Sequence, residues 1–366
     1  MSASRWRVAV VGFDHMHAGD QIQLARTLPE TSLVAAVDSD PARLAAVCDD
    51  LGVDPAIRFT DWRRCLDVAR PTVACVCSTT ADHLTWVRRL AARGVHVLLE
   101  KPFAQSTAEV DAMVAAAAAG GVTLAVNWPS QWYPVHRTAR RLIAEGAIGR
   151  VVEVHHYGGN RGPLRHGHGK KERDGTVDPG SSWWYQRAAG GGSLRDYLGY
   201  GATVGAWFRD GEAPTEVTAT LHVPAGLEVD EQSVVVAAYP SGLSVFQTRW
   251  GTFTDPWTHQ PQPRCGFVVA GTGGTVSSYD YDPHVRLQTR AHPEGVDVPA
   301  GGPPAHERSA LANLVHALDT GKALAGPISP SISRVGQQVV DAAVASADRR
   351  APVRLPGSTT PTERQP

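Results

Sequence analysis

The chain has 366 residues, with 35 basic and 36 acidic side chains and a net charge of −1. At roughly 100 to 200 residues per domain this length predicts two domains with separate cores, and it excludes a small stapled or disordered protein. The balanced charge offers no field to nucleic acid or to an anionic membrane, so a neutral small molecule is the expected partner.

In chain order, Arg7 to Val11 is a β-branched run that stops at Gly12, and a helical stretch follows from Ala18 to Leu28. The start lacks the apolar core and small-residue cleavage site of a signal peptide, and no apolar run approaches the roughly 20 residues that span a bilayer. Five scattered cysteines fit neither a disulfide framework nor paired zinc knuckles. These features predict a soluble, cytoplasmic protein with reduced thiols.

The strand-helix alternation continues. Leu33 to Val37 ends at Asp38 before a helix from Pro41 to Leu51. Val73 to Cys77 is a strand covered on both faces, followed by a helix from Leu84 to Arg93. Val95 to Leu99, the alanine-rich helix from Ser106 to Ala119 and Val122 to Val126 complete the series. This is the pattern of a Rossmann-type, doubly wound parallel sheet, with ligands bound beyond the carboxyl ends of its strands. Gly12 to His17, Asp38, Ser78 to Thr80 and Glu100 to Pro102 therefore share one rim.

After Pro134 the pattern changes. A helix from His136 to Glu145 and a strand from Val151 to Tyr157 lead into a Gly/His/Arg-rich loop from Gly158 to Ser182. A glycine run and helix from Gly190 to Phe208 come next. Val217–Val223, Gln232–Tyr239, Leu243–Trp250, Arg264–Ala270 and Thr275–Tyr279 then read as an antiparallel meander. Helices at Ala305–Thr320 and Ser331–Asp348 finish the fold. The expected organisation is a Rossmann domain over 1–127, an α+β domain with an open, mostly antiparallel sheet over 128–355, and a disordered tail over 356–366. An open sheet face predicts a homo-oligomer, a dimer or tetramer.

Glu100-Lys101-Pro102 at a strand end is the most specific motif. With the first-strand glycine turn, Asp38, Ser78-Thr79-Thr80 with His83, Gly190-Gly191-Gly192 with Asp196 and Tyr200, and the closing DRRAPVRLP, it makes the chain resemble the Gfo/Idh/MocA oxidoreductases from Arg7 to about Leu355. The resemblance implies an NAD(P)-dependent dehydrogenase acting on CH-OH groups of a sugar, inositol or related polyol. It also implies that Lys101 lies beside the nicotinamide, before a cis Pro102.

The glycine fingerprint is obeyed in part. In Gly12-Phe13-Asp14-His15-Met16-His17 the second and third glycines are Asp14 and His17, so a carboxylate and a Cβ stand where a pyrophosphate needs open backbone. Gly12, Phe13, Asp14, His15 and Met16, with Asp38, Ser78, Thr79, Thr80, His83, Glu100, Lys101 and Asn127, form the candidate cofactor set. Asp38 can accept both ribose hydroxyls and so favours NAD, with NADP possible; as an alternative it opens the helix at Pro41.

The candidate catalytic residues are Lys101, Tyr200 and Asp196. Tyr200 stands where the family often carries a histidine, and it is read as acid/base with Lys101 stabilising its phenolate; the alternatives are that Lys101 moves the proton alone or only pairs with Glu100. Trp128, Asn160, Arg161, His168 and Trp184 are candidate polyol contacts. His166 and His168 lack metal-site spacing, so no metal is expected. Other readings are transient oxidation by tightly bound NAD(H), used for glycosidic cleavage or epimerisation, and a non-catalytic binding protein.

Overall fold

The computed structural model describes residues 5–168 and 178–355. The expected tail over 356–366 and part of the histidine-rich loop lie outside them.

The first half alternates as expected, with β3 and α3 added between the expected elements: β1 (Trp6–Val11), α1 (Ala18–Thr27), β2 (Thr31–Val37), α2 (Pro41–Asp50), β3 (Arg58–Phe59), α3 (Trp62–Ala69), β4 (Val73–Val76), α4 (His83–Ala91), β5 (His96–Glu100), α5 (Thr107–Ala119) and β6 (Leu124–Asn127). The strands form one sheet in the order β3-β2-β1-β4-β5-β6, every pair parallel. β4 and β6 are buried along their whole length because helices cover both faces. Short polar side chains start the crossover helices: Asp40 accepts from the Ala42 and Arg43 amides before α2, and Ser106 accepts from the Glu109 amide before α5.

Beyond β6 come α6 (Pro134–Ala144), β7 (Val151–Asn160), α7 (Ser193–Phe208), β8 (Glu216–His222), β9 (Gln232–Tyr239), β10 (Gly242–Trp250), β11 (Gly266–Gly271), β12 (Gly274–Tyr279), β13 (His284–Thr289) and β14 (His292–Pro299). The helices α8 (Ala310–Thr320) and α9 (Pro330–Arg349) and the short β15 (Val353–Arg354) follow. The second sheet runs β14-β13-β12-β11-β7-β10-β9-β8-β15. The meander reading is corrected here, because β7 inserts at the centre, parallel to β10 and antiparallel to β11. β13 and β14 escaped the sequence reading because HVRLQT and HPEGVDVP are largely solvated and carry too few apolar residues to alternate. The glycine run stays outside α7: Gly190 and Gly192 have φ of +92° and +110°, so the helix begins at Ser193.

One face of this sheet builds a core with α6, α7 and α9. The opposite face exposes Val234, Val236, Leu243 and Val268. α8 turns back to the first sheet, where Ala310, Leu311, Leu314 and Val315 pack with Val8, Val10 and Ile22. All five cysteines are buried and unpaired. No helix among the described residues is long and apolar enough to cross a membrane.

Candidate active site

The rim begins at Gly12, whose φ of +75° turns the chain out of β1; a Cβ there would lie 2.9 Å from the Ser78 N and Cα atoms. Only glycine meets both demands. The Phe13 ring is buried in the core, while its amide donates to Asp38 Oδ2 at 2.7 Å. Asp14 reaches outward to Arg43 (2.7 Å). Burial pushes the Asp14 carboxyl up to about 6 against the pull of Arg43.

His15 is fully buried, and its Nδ1 accepts the His17 amide at 3.2 Å, which leaves the ring hydrogen on Nε2. That buried Nε2–H has no partner among the described residues. Burial, then His17 and Lys101, hold the His15 ring well below the usual imidazole range, so it is neutral. His17, in the third glycine position, contacts Glu100 Oε1 through Nδ1 at 2.9 Å, and Asn127 Nδ2 donates to Glu100 Oε2 at 2.6 Å. Burial opposes the Glu100 charge, but His17, Lys101 and Asn127 together keep the carboxyl below its ordinary value. His15, His17 and Glu100 bring three potential metal ligands within 4.8 Å. The tautomer of His15 argues against an ion, since the ring presents a hydrogen rather than a lone pair.

Lys101 follows β5, and its bond to Pro102 is cis, as the resemblance implied. Its Nζ lies 2.5 Å from Asp196 Oδ1, with both side chains almost fully buried. The second carboxylate oxygen accepts from Trp250 Nε1 at 3.0 Å. Lys101 therefore pairs with Asp196 across the two domains and not with Glu100. Its ammonium lies 5.3 Å from the Tyr200 ring centroid and 5.5 Å from that of Trp184. Burial first, then Asp196 and Glu100, push the Tyr200 phenol well up. A phenol so raised favours its protonated form, and Tyr200 faces Lys101 with its ring.

Asp38 also differs from expectation. Asp40 caps α2, while Asp38 accepts from the Phe13 and Asp40 amides and, bidentately, from Arg43 Nε (2.9 Å) and Nη2 (2.8 Å). Four donors fill both oxygens, so ribose hydroxyls reach this acid only if Arg43 swings aside. Arg43→Ala is expected to shift the NAD-over-NADP preference about tenfold toward NAD, by freeing the acid and removing a cation suited to a 2′-phosphate; dissociation constants for both cofactors check this. The groove beside it is lined by Gly12, Asp14, Trp62, Ser78, Trp86 and Arg89. Arg89 lies 4.9 and 5.0 Å from the Trp62 and Trp86 rings.

Asp14 predicts a pH effect. Above about 6 it is charged, and that charge would oppose a pyrophosphate bound at the glycine turn. Cofactor affinity should tighten about 3- to 10-fold as pH falls from 7.5 to 5, and Asp14→Asn should flatten the profile, as titration calorimetry reads directly. The folded-state value exceeds the ordinary 3.8, so the native state binds the extra proton and stability falls as pH rises between about 4 and 6.

Of the remaining expected cofactor contacts, Met16 lines the main cavity, Thr79 bonds Asp82, buried Thr80 packs under Gly190, and His83 Nδ1 meets the Phe103 carbonyl, bracing the turn after Lys101. This cavity, open to solvent, runs from His15 and Lys101 to Tyr133, Asp280 and Tyr281. Of the expected polyol contacts, Asn160 and Trp184 line it. The other three are corrected. Trp128 is buried against Tyr200 and Gly199, so it is core. Arg161 is drawn to Asp255 by its amide and Nε, and pins a loop. His168 lies in a neighbouring cavity beside Asp14, Arg43 and Trp183.

Sequence reasoning missed several groups. Arg43 and Trp250 carry no motif, and their partners lie on other elements. His136 Nε2 with Asp280 (3.0 Å), and Tyr133 Oη with Tyr281 Oη (2.8 Å), form a second polar cluster at the cavity's far end. Buried His156, lowered by burial to about 4, also lines the cavity. Above the glycine turn Trp183 and Trp184 stack at 3.9 Å; Trp183 Nε1 donates to the Asp14 carbonyl and Trp184 abuts His15.

Comparison with known proteins fits this architecture. Residues 6–128 match the family model described as "Oxidoreductase family, NAD-binding Rossmann fold", and residues 136–277 match "GFO/IDH/MocA C-terminal domain". The chain belongs to the Gfo/Idh/MocA oxidoreductase family. Its first domain is the family's NAD-binding domain. A D-apiose dehydrogenase of Paraburkholderia graminis is 29% identical over 153 residues, 40% of this chain and 39% of that protein. A D-xylose 1-dehydrogenase (NADP(+)) of Haloferax volcanii is 32% identical over 125 residues, 34% of this chain and 38% of its own length. The chain thus spans under two fifths of the length of these curated relatives. The solved aldose-aldose oxidoreductase of Caulobacter crescentus shares the fold, with a TM-score of 0.76 at 22% identity over 96% of this chain and 100% of that one.

Proposed function

We propose that this Gfo/Idh/MocA protein is an NAD(P)-dependent dehydrogenase or reductase that acts on a secondary hydroxyl, or the corresponding carbonyl, of a sugar, inositol or related polyol. The carrying observation is the buried Lys101–Asp196 pair, braced by Trp250, where the Rossmann rim meets a cavity walled by the second sheet. His15 Nε2–H supplies an unpaired buried donor for the cofactor side, while Asp14 and His17 depart from an open glycine cradle. When bound, the nicotinamide accepts or returns the hydride.

The chain's own residues do the rest. Lys101 Nζ faces the reacting oxygen and moves its proton, and Asp196 fixes the ammonium. Tyr200, protonated, donates a hydrogen bond to the same region. Trp184 covers the site against water. Tyr200→Phe is expected to lower kcat about tenfold, and an unchanged kcat would remove the phenol from the proton path.

The test is incubation of purified protein with NAD or NADP and a panel of aldoses, alditols and inositols. Growth of the reduced-nicotinamide absorbance is expected. No reduction with any of them, together with no cofactor binding by calorimetry, would overturn the reading.

The tryptophan cover supports a second reading, in which the cofactor is retained and oxidation is transient, as in glycosidic cleavage or epimerisation. Turnover without added NAD would favour it. The exposed valines of the second sheet support self-association as a dimer or tetramer, checked by light scattering.

A further inference from the structure

The two ends of the main cavity differ in chemistry. At the Lys101 end, buried donors and charges face the space. The far end is built from Pro129, Tyr133, Pro256, Trp257 and Tyr281, with the His136–Asp280 pair behind them. Its polar groups satisfy one another in part: Tyr133 Oη bonds Tyr281 Oη, and His136 bonds Asp280 Oδ1 and lies 3.3 Å from the Ser130 carbonyl, which leaves the second Asp280 oxygen and one phenol hydrogen for a ligand.

A sugar hydroxyl placed there finds few partners beyond that carboxylate oxygen and that phenol. The face of a second ring would instead lie against aromatic and proline surface. The rings of Tyr133 and Tyr281 lie 5.1 Å apart with planes inclined by 48°, an open angle and not a closed stack.

The backbone at this end points the same way. Tyr281 has a φ of +69°, in the left-handed region that disfavours a bulky side chain. It occupies the turn between β12 and β13, where glycine would be free of strain. The strained residue is a tyrosine whose ring lines the cavity, and such strain concentrates where a side chain contributes to ligand binding. Asp280, beside it, is anchored by His136 from α6, so the turn is clamped to the wall that carries Tyr133.

We propose that this far end is a subsite for a second ring, and that the substrate is a glycoside or other ring-substituted sugar rather than a free monosaccharide. The proposal rests on the polyol reading above. Its test compares free monosaccharides with their phenyl glycosides in wild-type protein and in Tyr281→Gly, a change that relieves the backbone.

Wild type is expected to favour a glycoside over its parent sugar by at least about tenfold in kcat/KM, which is the scale of a ring contact. In Tyr281→Gly that ratio should fall toward one, mainly through KM, with thermal unfolding at or above the wild-type temperature. Equal kcat/KM values for sugar and glycoside in wild type, or a ratio unmoved by the substitution, would overturn the subsite. Calorimetry with phenyl glycosides separates the two claims. Glycoside binding that is weakened in Tyr281→Gly, without nicotinamide reduction, sinks the dehydrogenase reading and keeps the subsite. Nicotinamide reduction with no glycoside preference does the reverse.

Discussion

Lys101→Ala is expected to lower kcat by at least about 100-fold and also to destabilise the fold by roughly 3 kcal/mol. The kinetic loss follows from removing the one ammonium on the Asp196 carboxylate at the cavity floor, since a positioned proton-transfer group is worth about 100- to 10,000-fold. The stability loss has a separate origin. Asp196 is 5% exposed and would keep only the Trp250 indole as a charge-stabilising donor; breaking a buried pair from one side costs about 3–5 kcal/mol. Two further variants separate the effects. Lys101→Arg keeps a cation for Asp196 yet does not release a proton, so stability should recover while turnover does not. Asp196→Asn removes the charge that the lysine balances, and kcat should fall with a smaller stability change. Wild-type turnover in Lys101→Ala would remove this lysine from the chemistry, and an unchanged melting temperature would mean that water replaces it in the pair.

Gly12→Ala should cost well more than the strain of a positive φ alone. The position combines a φ of +75° with backbone of Ser78 at 2.9 Å from the new Cβ. Strain alone is worth about 1 kcal/mol, as Gly52→Ala should show, because Gly52 has a φ of +58° and nothing within 4 Å. The added clash is with backbone, which cannot rotate away, so β1 and β4 must separate at the rim. A total near 3 kcal/mol, read by chemical denaturation, and a loss of at least about 100-fold in NAD affinity are expected, because the rim itself moves. Equal destabilisation of the two variants would show that the clash relaxes and only strain remains.

Most of the first domain was legible because its longer strands and helices advertise themselves locally, whereas the two-residue β3 and the eight-residue α3 did not. Buried strands are continuous apolar runs, and α2 begins at an Asp-Pro pair. Lys101, Asp196 and Tyr200 were likewise marked by short spacings. What the residues touch was not legible. Asp196 meets Trp250 across 54 residues and His136 meets Asp280 across 144, separations that only the order of the second sheet resolves. Asp38 was identified as the ribose acid, yet Arg43, one helical turn away on α2, fills it. A bidentate fork needs only an arginine close enough to reach, and no motif distinguishes it from a solvated one. His15 was read as a cofactor contact and His17 as the occupant of the third glycine position. Their buried network with Glu100 depends on β5 lying beneath them, a juxtaposition made by the parallel sheet.

The position of α8 has a consequence for how the chain is made. Ala310, Leu311, Leu314 and Val315 cover strands and a helix formed by the first few dozen residues. A ribosome that has finished β6 therefore exposes a nucleotide-binding sheet with part of one apolar face still bare, and the missing cover lies nearly two hundred residues downstream in the message yet to be read. Closing that gap is a long-range event with a large loop-closure cost. A fragment ending near residue 127 should bind hydrophobic dyes and aggregate, and adding residues 305–325 as a separate peptide should suppress both.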